Sequence, residues 1–386
     1  MNARAAVRER VGASRDRLVA LSHRIHAHPE LAFEEERAAA WCAEALDAAG
    51  FAVERGVGGL PTAFVARAGS GPLHVALCAE YDCLPGIGHA CGHNLIAAIA
   101  VGAGIAAARV ADDVGLTVSV VGTPAEERGG GKILLLERGA FSGVHAAMMV
   151  HPAPVDVVEP VTLAWWDFEV RYTGRASHAS AFPEFGINAA DALTVAQTAI
   201  GLLRQHIRSS DRIHGIVTDG GDAPNVVPAH AAADYIVRAR SLGELEDIRA
   251  KVLRCFEAGA LATGATLEVK ACGNPYAEVR HDAALAAVYR RNAETLGRSF
   301  PDLGVLLERA AASTDMGNVS QALPSIHPMI GIASLPAVNH QPEFTAHCVT
   351  AAADQAVADG ALALAWTAID AASDPALAAR LRARRQ

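Results

Sequence analysis

Short apolar runs alternate with amphipathic stretches along the first 150 residues. Apolar positions recur at helical spacing over residues 14–49, with an interruption at His28-Pro29-Glu30. Three apolar runs bounded by turn residues predict buried strands at residues 73–78, 116–121 and 146–150. This alternation indicates an α/β layer fold with mostly parallel strands, and such folds form their active sites in loops beyond the strand carboxyl ends.

A different pattern begins at Trp165. The predicted elements are a strand at 165–172, a helix at 188–206, strands at 213–218 and 231–238, a helix at 242–260 and a strand at 266–271. The order βαββαβ is that of a ferredoxin-like unit, which interrupts the α/β alternation until after Pro275. We therefore predict one discontinuous domain, residues 1–164 and 275–386, and an inserted domain, residues 165–274. In the last part of the chain the pattern predicts a helix at 283–296, a strand at 329–332 and a helix at 350–368.

Composition narrows the classes of function. The 386 residues include 33 Lys and Arg against 42 Asp and Glu, a net charge of −9, without a basic run that would attract nucleic acid or an anionic membrane. Arginines recur through the first residues, so no apolar signal-peptide core forms there, and the apolar stretch at 95–108 is too short to cross a bilayer. Seven scattered cysteines, an odd number, fit a reducing compartment. We expect a cytoplasmic protein that binds a small molecule and neither nucleic acid nor membrane.

Polar clusters follow each of the three predicted strands. They are Glu80-Tyr81-Asp82 after the first run, Glu126-Glu127 after the second and His151 after the third. Adjacent acids are usually solvated, and a single histidine at a strand end is usually a core residue. In a loop, however, one carboxylate of such a pair can bind a metal while the other accepts a proton from water.

A glycine-rich segment, Gly88-His89-Ala90-Cys91-Gly92-His93-Asn94, precedes the apolar helix at 95–108. A buried cysteine is the ordinary interpretation of an isolated Cys-Gly-His, but the surrounding glycines allow close approach to a ligand. His340 lies in another polar loop. Five groups of mixed S, N and O type thus fall in predicted loops of one domain: Cys91, His93, Glu127, His151 and His340. Such a set suits divalent Zn, Mn, Co or Ni, and holds two ions if one group bridges them.

These motifs resemble a known enzyme family. The segment from Glu80 to Asn94 and the segment Gly122-Thr123-Pro124-Ala125-Glu126-Glu127 are similar to those of the dinuclear-metal amidohydrolases and peptidases of the aminoacylase, hippurate hydrolase and carboxypeptidase G group. The similarity extends over nearly the whole chain, through His26-Ala27-His28-Pro29-Glu30-Leu31, Thr173-Gly174-Arg175-Ala176-Ser177-His178-Ala179, Asn225-Val226-Val227-Pro228, Ser313-Thr314-Asp315-Met316 and Asn339-His340. Glu80-Tyr81-Asp82 and Asn94 most resemble p-aminobenzoyl-glutamate hydrolase subunits and dipeptidases that cleave β-alanyl-lysine type amides.

The resemblance implies a zinc-peptidase-like catalytic domain with a mixed, mostly parallel sheet, and an inserted lid and dimerisation domain. It implies that Cys91, His93, Glu127, His151 and His340 bind two divalent ions. Glu126 would be the general base and then the acid, and Asp82 an orienting carboxylate behind the ligands. His178 corresponds to a lid histidine that stabilises the oxyanion, typically in the other subunit of a homodimer, and Asn225 to a lid residue that contacts substrate.

Three positions depart from the wider family. Glu80 stands where many members have a metal-binding histidine, and Cys91 stands where many have a bridging aspartate. The identity of the metals stays open: zinc and manganese rank equally, with cobalt or nickel as alternatives. Cys83 replaces a common alanine and is interpreted as a packing residue.

The leading hypothesis is hydrolysis of a small amide by metal-activated water with Glu126 as base. The substrate would be an N-acyl amino acid, an aryl-glutamate amide or a dipeptide, and Arg238 is a candidate for gripping its carboxylate, although a strand-end salt bridge explains that arginine equally well. Three alternatives stay open: a hydrolytic deaminase on the same site, a cysteine hydrolase with Cys91 as nucleophile and His93 or His89 as base, and a non-catalytic binding protein.

Overall fold

The computed structural model describes residues 2–304 and 311–383. The chain divides into two compact units, one formed by Met1–Val161 with Val279–Gln386 and the other by Thr162–Glu278. We call them the α/β unit and the inserted unit. No helix in the described ranges combines the length and the apolar character that crossing a bilayer requires.

Twelve described helices, α1 to α12, follow one another along the chain. Their bounds are Ala3–His26, Glu36–Asp47, His93–Ala108, Ala111–Val114, Gly131–Glu137, Ala189–Leu203, Leu242–Thr263, Ala283–Thr295, Met316–Ala322, Pro342–His347, Ala351–Ser373 and Pro375–Arg382. The described strands, β1 to β12, are Ala52–Arg55, Phe64–Ala68, Leu73–Ala79, Leu116–Gly122, Ala146–Met148, His151–Ala153, Ala164–Thr173, Arg212–Asp219, His230–Ala239, Thr266–Ala271, Ser325–Ile326 and Met329–Gly331.

The α/β unit is built on a mixed six-stranded sheet in the order β1-β2-β4-β3-β5-β11. Strands β4, β3, β5 and β11 run parallel, while β1 and β2 add an antiparallel edge. The parallel centre is buried throughout, since all seven residues of β3 are buried. The expectation of an α/β fold with a mixed, mostly parallel sheet is confirmed.

The apolar helix α3 lies in the core of this unit and packs against α1, α11 and β3. Its Ala- and Gly-rich sequence permits this close packing: a Cβ at Gly102 would lie 2.6 Å from a methyl carbon of Leu18 and 3.0 Å from the Cβ of Ala361. A larger residue would push the three helices apart, and overpacking of this kind is destabilising. The helix is therefore a rigid support for the residues at its N-terminus.

The inserted unit is a four-stranded antiparallel sheet in the order β10-β7-β9-β8. Helices α6 and α7 pack together on one face, over the alternating buried residues of β7 such as Trp166, Phe168 and Val170. Together with the chain order βαββαβ, this strand order is that of a ferredoxin-like fold.

Candidate active site

Three neighbouring parallel strands direct polar residues to one edge of the sheet. Ala79 at the end of β3 is paired with Gly122 at the end of β4, and Leu77 is paired with Met148 at the end of β5. The loops that follow therefore begin side by side, as expected for an α/β fold. They carry the acids of residues 80–82, the acids of residues 126–127 and the histidine of β6.

The N-terminus of α3 brings Cys91 and His93 to the same edge. Gly92 has a φ of 83°, and a Cβ there would lie 2.4 Å from the ring of Pro152, so only glycine fits between this turn and β6. The close packing leaves Cys91 Sγ 3.4 Å from His151 Nε2. His340 comes from the loop before α10, and its Nε2 also lies 3.4 Å from Cys91 Sγ.

Two donor sets share the Cys91 sulfur. One consists of Cys91, His93 and His151, the other of Cys91, Glu127 and His340, and within each set the donor atoms lie within 4.8 Å of one another. Ligands bound at about 2.0–2.3 Å in a tetrahedral arrangement lie about 3.3–3.8 Å apart. The Sγ to Nε2 separation within each set therefore suits two ligands of the same ion. His93 Nε2 and Glu127 Oε1 are buried and lack hydrogen-bond partners among the described residues. The residues thus fit a pair of divalent ions.

Asp82 fixes the orientation of two of these donors. His93 Nδ1–H donates to Asp82 Oδ1 at 2.9 Å, which leaves the Nε2 lone pair for a metal, and the backbone N–H of Glu127 donates to Asp82 Oδ2 at 3.0 Å. Burial acts to raise the pKa of Asp82, but His93 and these hydrogen bonds outweigh it and hold the pKa below its ordinary value. His151 is oriented similarly, since its Nδ1–H donates to the carbonyl of Pro152 at 2.8 Å.

Glu126 lies beside the donor sets rather than in either of them. Its Oε2 is 3.8 Å from His93 Nε2, and its side chain is only 8% exposed. Burial, followed by the charges of Glu80 and Glu127, raises the pKa of Glu126 well above its ordinary value. Burial and then the Glu127 carboxylate likewise raise the pKa of the Cys91 thiol, so in the absence of a cation this thiol stays protonated.

Three further charged residues line this edge, and sequence reasoning gave none of them a role. Glu35 is fully buried, and its Oε1 accepts hydrogen bonds from the backbone N–H groups of Phe33 and Ala125. Ala125 has a φ of 59°, so Glu35 holds the turn that presents Glu126. Burial, and then the charge of Asp82, raise the pKa of Glu35 to about 7. Lys132 forms buried ion pairs with both Glu80 and Asp315.

The inserted unit brings His178 and Asn225 together. The two loops are joined by hydrogen bonds from Ala179 N–H to the Asn225 carbonyl and from Val227 N–H to the Ser177 carbonyl. His178 Nδ1 accepts from the backbone N–H groups of Ser180 and Ala181 at 3.3 and 3.2 Å, so the ring proton resides on Nε2. His178 and Asn225 are both exposed.

Arg238 lies apart from this pair. The loop with Asn225 leads into the start of β9 at His230, whereas Arg238 lies near the other end of that strand. Its guanidinium stacks over the ring of Trp165 at 5.4 Å, and burial lowers its pKa. The structure therefore does not place Arg238 beside His178 and Asn225 within the inserted unit.

Two adjoining sets of metal-competent donors beside a buried carboxylate, at the strand ends of an α/β unit, suit a metal-dependent hydrolase. Comparisons with known proteins identify the family. Residues 163–263 match the family model described as a peptidase dimerisation domain. The chain is 40% identical to the Xaa-Arg dipeptidase of Mus musculus over 96% of its own length and 89% of that protein. It is 37% identical to one of the subunits of the p-aminobenzoyl-glutamate hydrolase of Escherichia coli over 68% of its length and 60% of that protein.

The fold has solved counterparts. A dinuclear metal binding peptidase of the M20 family from Bacillus subtilis superposes with a TM-score of 0.71 at 22% identity, covering 93% of this chain and 98% of that one. The chain belongs to the M20 family of metallopeptidases. It is a hydrolase of the class that cleaves amides with the help of metal ions, as the resemblance in its motifs indicated.

Proposed function

We propose that this chain is a dinuclear metallodipeptidase that hydrolyses a small amide and releases an amino acid. One observation carries the proposal: two metal-competent donor sets share Cys91 Sγ and adjoin the buried carboxylate of Glu126. A sulfur common to both sets is suited to bridge two ions, and a carboxylate outside both sets is available to exchange protons.

Two divalent ions would be held by Cys91, His93, Glu127, His151 and His340. When bound, such ions act as Lewis acids that polarise an amide carbonyl and make water acidic near neutral pH. Zinc and manganese are the leading identities, because the donors combine one soft thiolate and three imidazoles with one hard carboxylate. Cobalt and nickel suit the same donors.

Glu126 is assigned the proton transfers. As base it accepts a proton from the attacking water, and as acid it donates that proton to the nitrogen that leaves with the amino acid. Its place on the turn braced by Glu35 supports this role, because the carboxylate is held near His93 Nε2 without belonging to a Cys91 donor set. Asp82 keeps His93 in the tautomer that a ligand needs.

His178 and Asn225 are assigned to the substrate. The backbone N–H groups at His178 Nδ1 keep the ring proton on Nε2, where it can be donated to the oxygen that gains charge during attack. The neighbouring Asn225 offers an amide for the substrate backbone. Arg238 remains a candidate for the substrate carboxylate.

The inserted unit would pair two copies of the chain. Strand β8 is at the edge of the described sheet, and Ile216 and Val217 on it are 67% and 49% exposed. An edge strand with exposed apolar side chains favours pairing with a second copy about a two-fold axis. We propose a homodimer in which His178 of each protomer serves the metal site of its partner. Seven free cysteines support a cytoplasmic location.

The names of the relatives support a ranking of candidate substrates. The mouse relative is named for dipeptides with a C-terminal arginine, so dipeptides ending in a basic residue lead the candidates. Amides between an aromatic acid and glutamate come second, because the Escherichia coli relative is named for p-aminobenzoyl-glutamate. N-acyl amino acids complete the panel.

The test combines metal analysis with amine release. Purified protein is loaded with Zn²⁺ or Mn²⁺ and assayed on alanyl-arginine, β-alanyl-lysine, p-aminobenzoyl-glutamate and an N-acetyl amino acid. We expect about two ions per chain and fastest release from the dipeptides. Glu126→Gln should keep both ions and lose about 10²–10⁴-fold in kcat. A Glu126→Gln variant with wild-type turnover contradicts the assignment of the base.

The thiol alternative has one observation in its favour, because Cys91 Sγ lies 3.4 Å from two imidazole nitrogens. A thiol hydrolase would survive chelation and be inactivated by alkylation of the metal-free protein. The metal hydrolase behaves in the opposite way: chelation abolishes turnover, and the loaded enzyme resists alkylation. Ammonia release from an aromatic amine, with no cleavage of the amide panel, would favour the deaminase.

A further inference from the structure

A buried lysine, Lys132, lies beside the Glu80 carboxylate, next to the metal donors. Lys132 Nζ is 2.5 Å from Glu80 Oε1 and 2.6 Å from Asp315 Oδ1, and all three side chains are fully buried. The backbone N–H of Lys132 donates to the other oxygen of Asp315 at 2.8 Å. Lys132 is therefore fixed at both its backbone and its ammonium group.

The turn of residues 129–131 sets this position. Gly129 and Gly130 have φ values of 127° and 67°, and a Cβ at Gly131 would lie 1.8 Å from the carbonyl oxygen of Pro124. Only glycine lets α5 start so close to the loop that leads to Glu126. The glycine triplet thus places an ammonium group beside the carboxylates of the site.

Glu80, His93 and Glu126 form a third donor set. Their donor atoms lie within 4.8 Å of one another, and Glu80 Oε2 is 3.4 Å from His93 Nε2. Both atoms are buried without a hydrogen-bond partner among the described residues. The set contains one imidazole and two carboxylates, which favours harder ions such as Mn²⁺ over Zn²⁺. It also competes with the first Cys91 set, since both need His93 Nε2.

We propose that Lys132 is a resident cation that keeps divalent ions out of this third set. The inference rests on the proposed function, because it concerns the same donors. The ammonium group neutralises Glu80 and repels a second cation, and unlike a bound ion it cannot exchange with solution. Exclusion has two consequences: His93 stays committed to the set that contains Cys91 and His151, and Glu126 stays outside metal coordination, where it can carry protons.

Two double variants test the proposal. Removing one partner of a buried ion pair is strongly destabilising, so each variant removes one cation and one anion. Lys132→Met with Asp315→Asn leaves the Glu80 carboxylate facing His93. The matched control, Lys132→Met with Glu80→Gln, leaves Asp315 and removes the Glu80 carboxylate from the third set. Circular dichroism establishes that both fold.

The readout is uptake of Mn²⁺ by protein already saturated with Zn²⁺, followed by the electron paramagnetic resonance signal of free Mn²⁺. In the variant that keeps Glu80 we expect about one Mn²⁺ per chain to be taken up with release of the Zn²⁺ that shares His93, and no uptake by the control or the wild type. Excess Mn²⁺ should then inhibit amide hydrolysis only in the variant that keeps Glu80. Equal uptake by the two variants overturns the proposal.

Zinc-loaded wild-type protein that takes up about one Mn²⁺ per chain also overturns the proposal, without any variant. Failure of the proposed function would look different: the wild type would bind fewer than two Zn²⁺ before any Mn²⁺ is added. The two results are read at separate steps of one titration.

Discussion

One atom, the sulfur of Cys91, belongs both to the donor set with His93 and His151 and to the donor set with Glu127 and His340. Imidazoles approach it from two sides, one from β6 and one from the loop before α10. In the proposed dinuclear site, loss of this atom would therefore affect both ions at once, whereas loss of either imidazole would affect one.

We expect Cys91→Ala to reduce the bound metal from about two ions per chain to fewer than one at micromolar concentrations of free metal, because both sets fall to two donors. Elemental analysis after dialysis measures this. The matched control is Cys83→Ala, a buried cysteine outside the donor sets, which should keep both ions. Two ions retained by Cys91→Ala would rule out the shared sulfur.

Sequence reasoning named Cys91, His93, Glu127 and His151 because each stands at a recognisable signal: a strand end, adjacent acids or a glycine-rich loop. It named His340 only as a metal-competent residue of a polar loop. Lys132 follows the glycine triplet 129–131 and Asp315 lies in the motif of residues 313–316, but neither signal indicates that the two residues pair. They are 183 residues apart, and a buried ion pair between distant residues leaves no local pattern. The contact of Glu35 with Ala125 spans 90 residues and is hidden for the same reason.

At the scale of elements, periodicity predicted the buried strands β3 and β4 and the whole βαββαβ order of the inserted unit. It missed β1 and β2. Strand β1 is four residues long and largely exposed, and β2 is five residues long, so neither shows a sustained apolar run. Short strands depend on their neighbours for stability, and short sequence windows do not report those neighbours.

Strand β3 carries a histidine whose burial makes folding sensitive to acid. His74 bonds with Ser119 Oγ at 2.7 Å and with the Gly143 carbonyl at 3.2 Å. Burial lowers its pKa from 6.5 to about 4. Because the folded pKa lies below the unfolded one, the stabilisation is complete above pH 6.5 and is lost as the pH falls towards 4.

Between pH 7 and pH 5, the unfolding free energy of metal-free wild-type protein should fall by about 1 kcal/mol more than that of His74→Gln. The difference is no larger because solvent screens part of the charge. Urea unfolding at the two pH values measures it. His206→Gln, at an exposed position, should respond like the wild type. If His74→Gln also matches the wild type, the neutral buried histidine is not a source of acid sensitivity.

At the scale of the whole molecule, the proposed homodimer makes each site depend on two chains. His178→Ala and Glu126→Gln variants should each be inactive alone. Mixed and allowed to exchange protomers, they should recover about one quarter of wild-type activity, since half of the dimers are mixed and each mixed dimer has one intact site. Steady-state amide hydrolysis after exchange measures it.

The double variant, with both changes in one chain and mixed with wild type, is the control for exchange itself. Exchange without any recovery in the first mixture would mean that His178 serves its own chain. Activity in the mixture before exchange begins would point to residual activity in one parent and would also contradict the shared site.

The α/β unit is interrupted by the inserted unit, and this order has a consequence in time. Cys91 and His151 are 60 residues apart, whereas Cys91 and His340 are 249 residues apart. At about 5–20 residues per second, a ribosome completes the first pair in about 3–12 s and the second in about 12–50 s. A growing chain therefore contains all of Cys91, His93 and His151 well before His340 is synthesised. Metal present during synthesis would encounter the first proposed donor set before the second is complete.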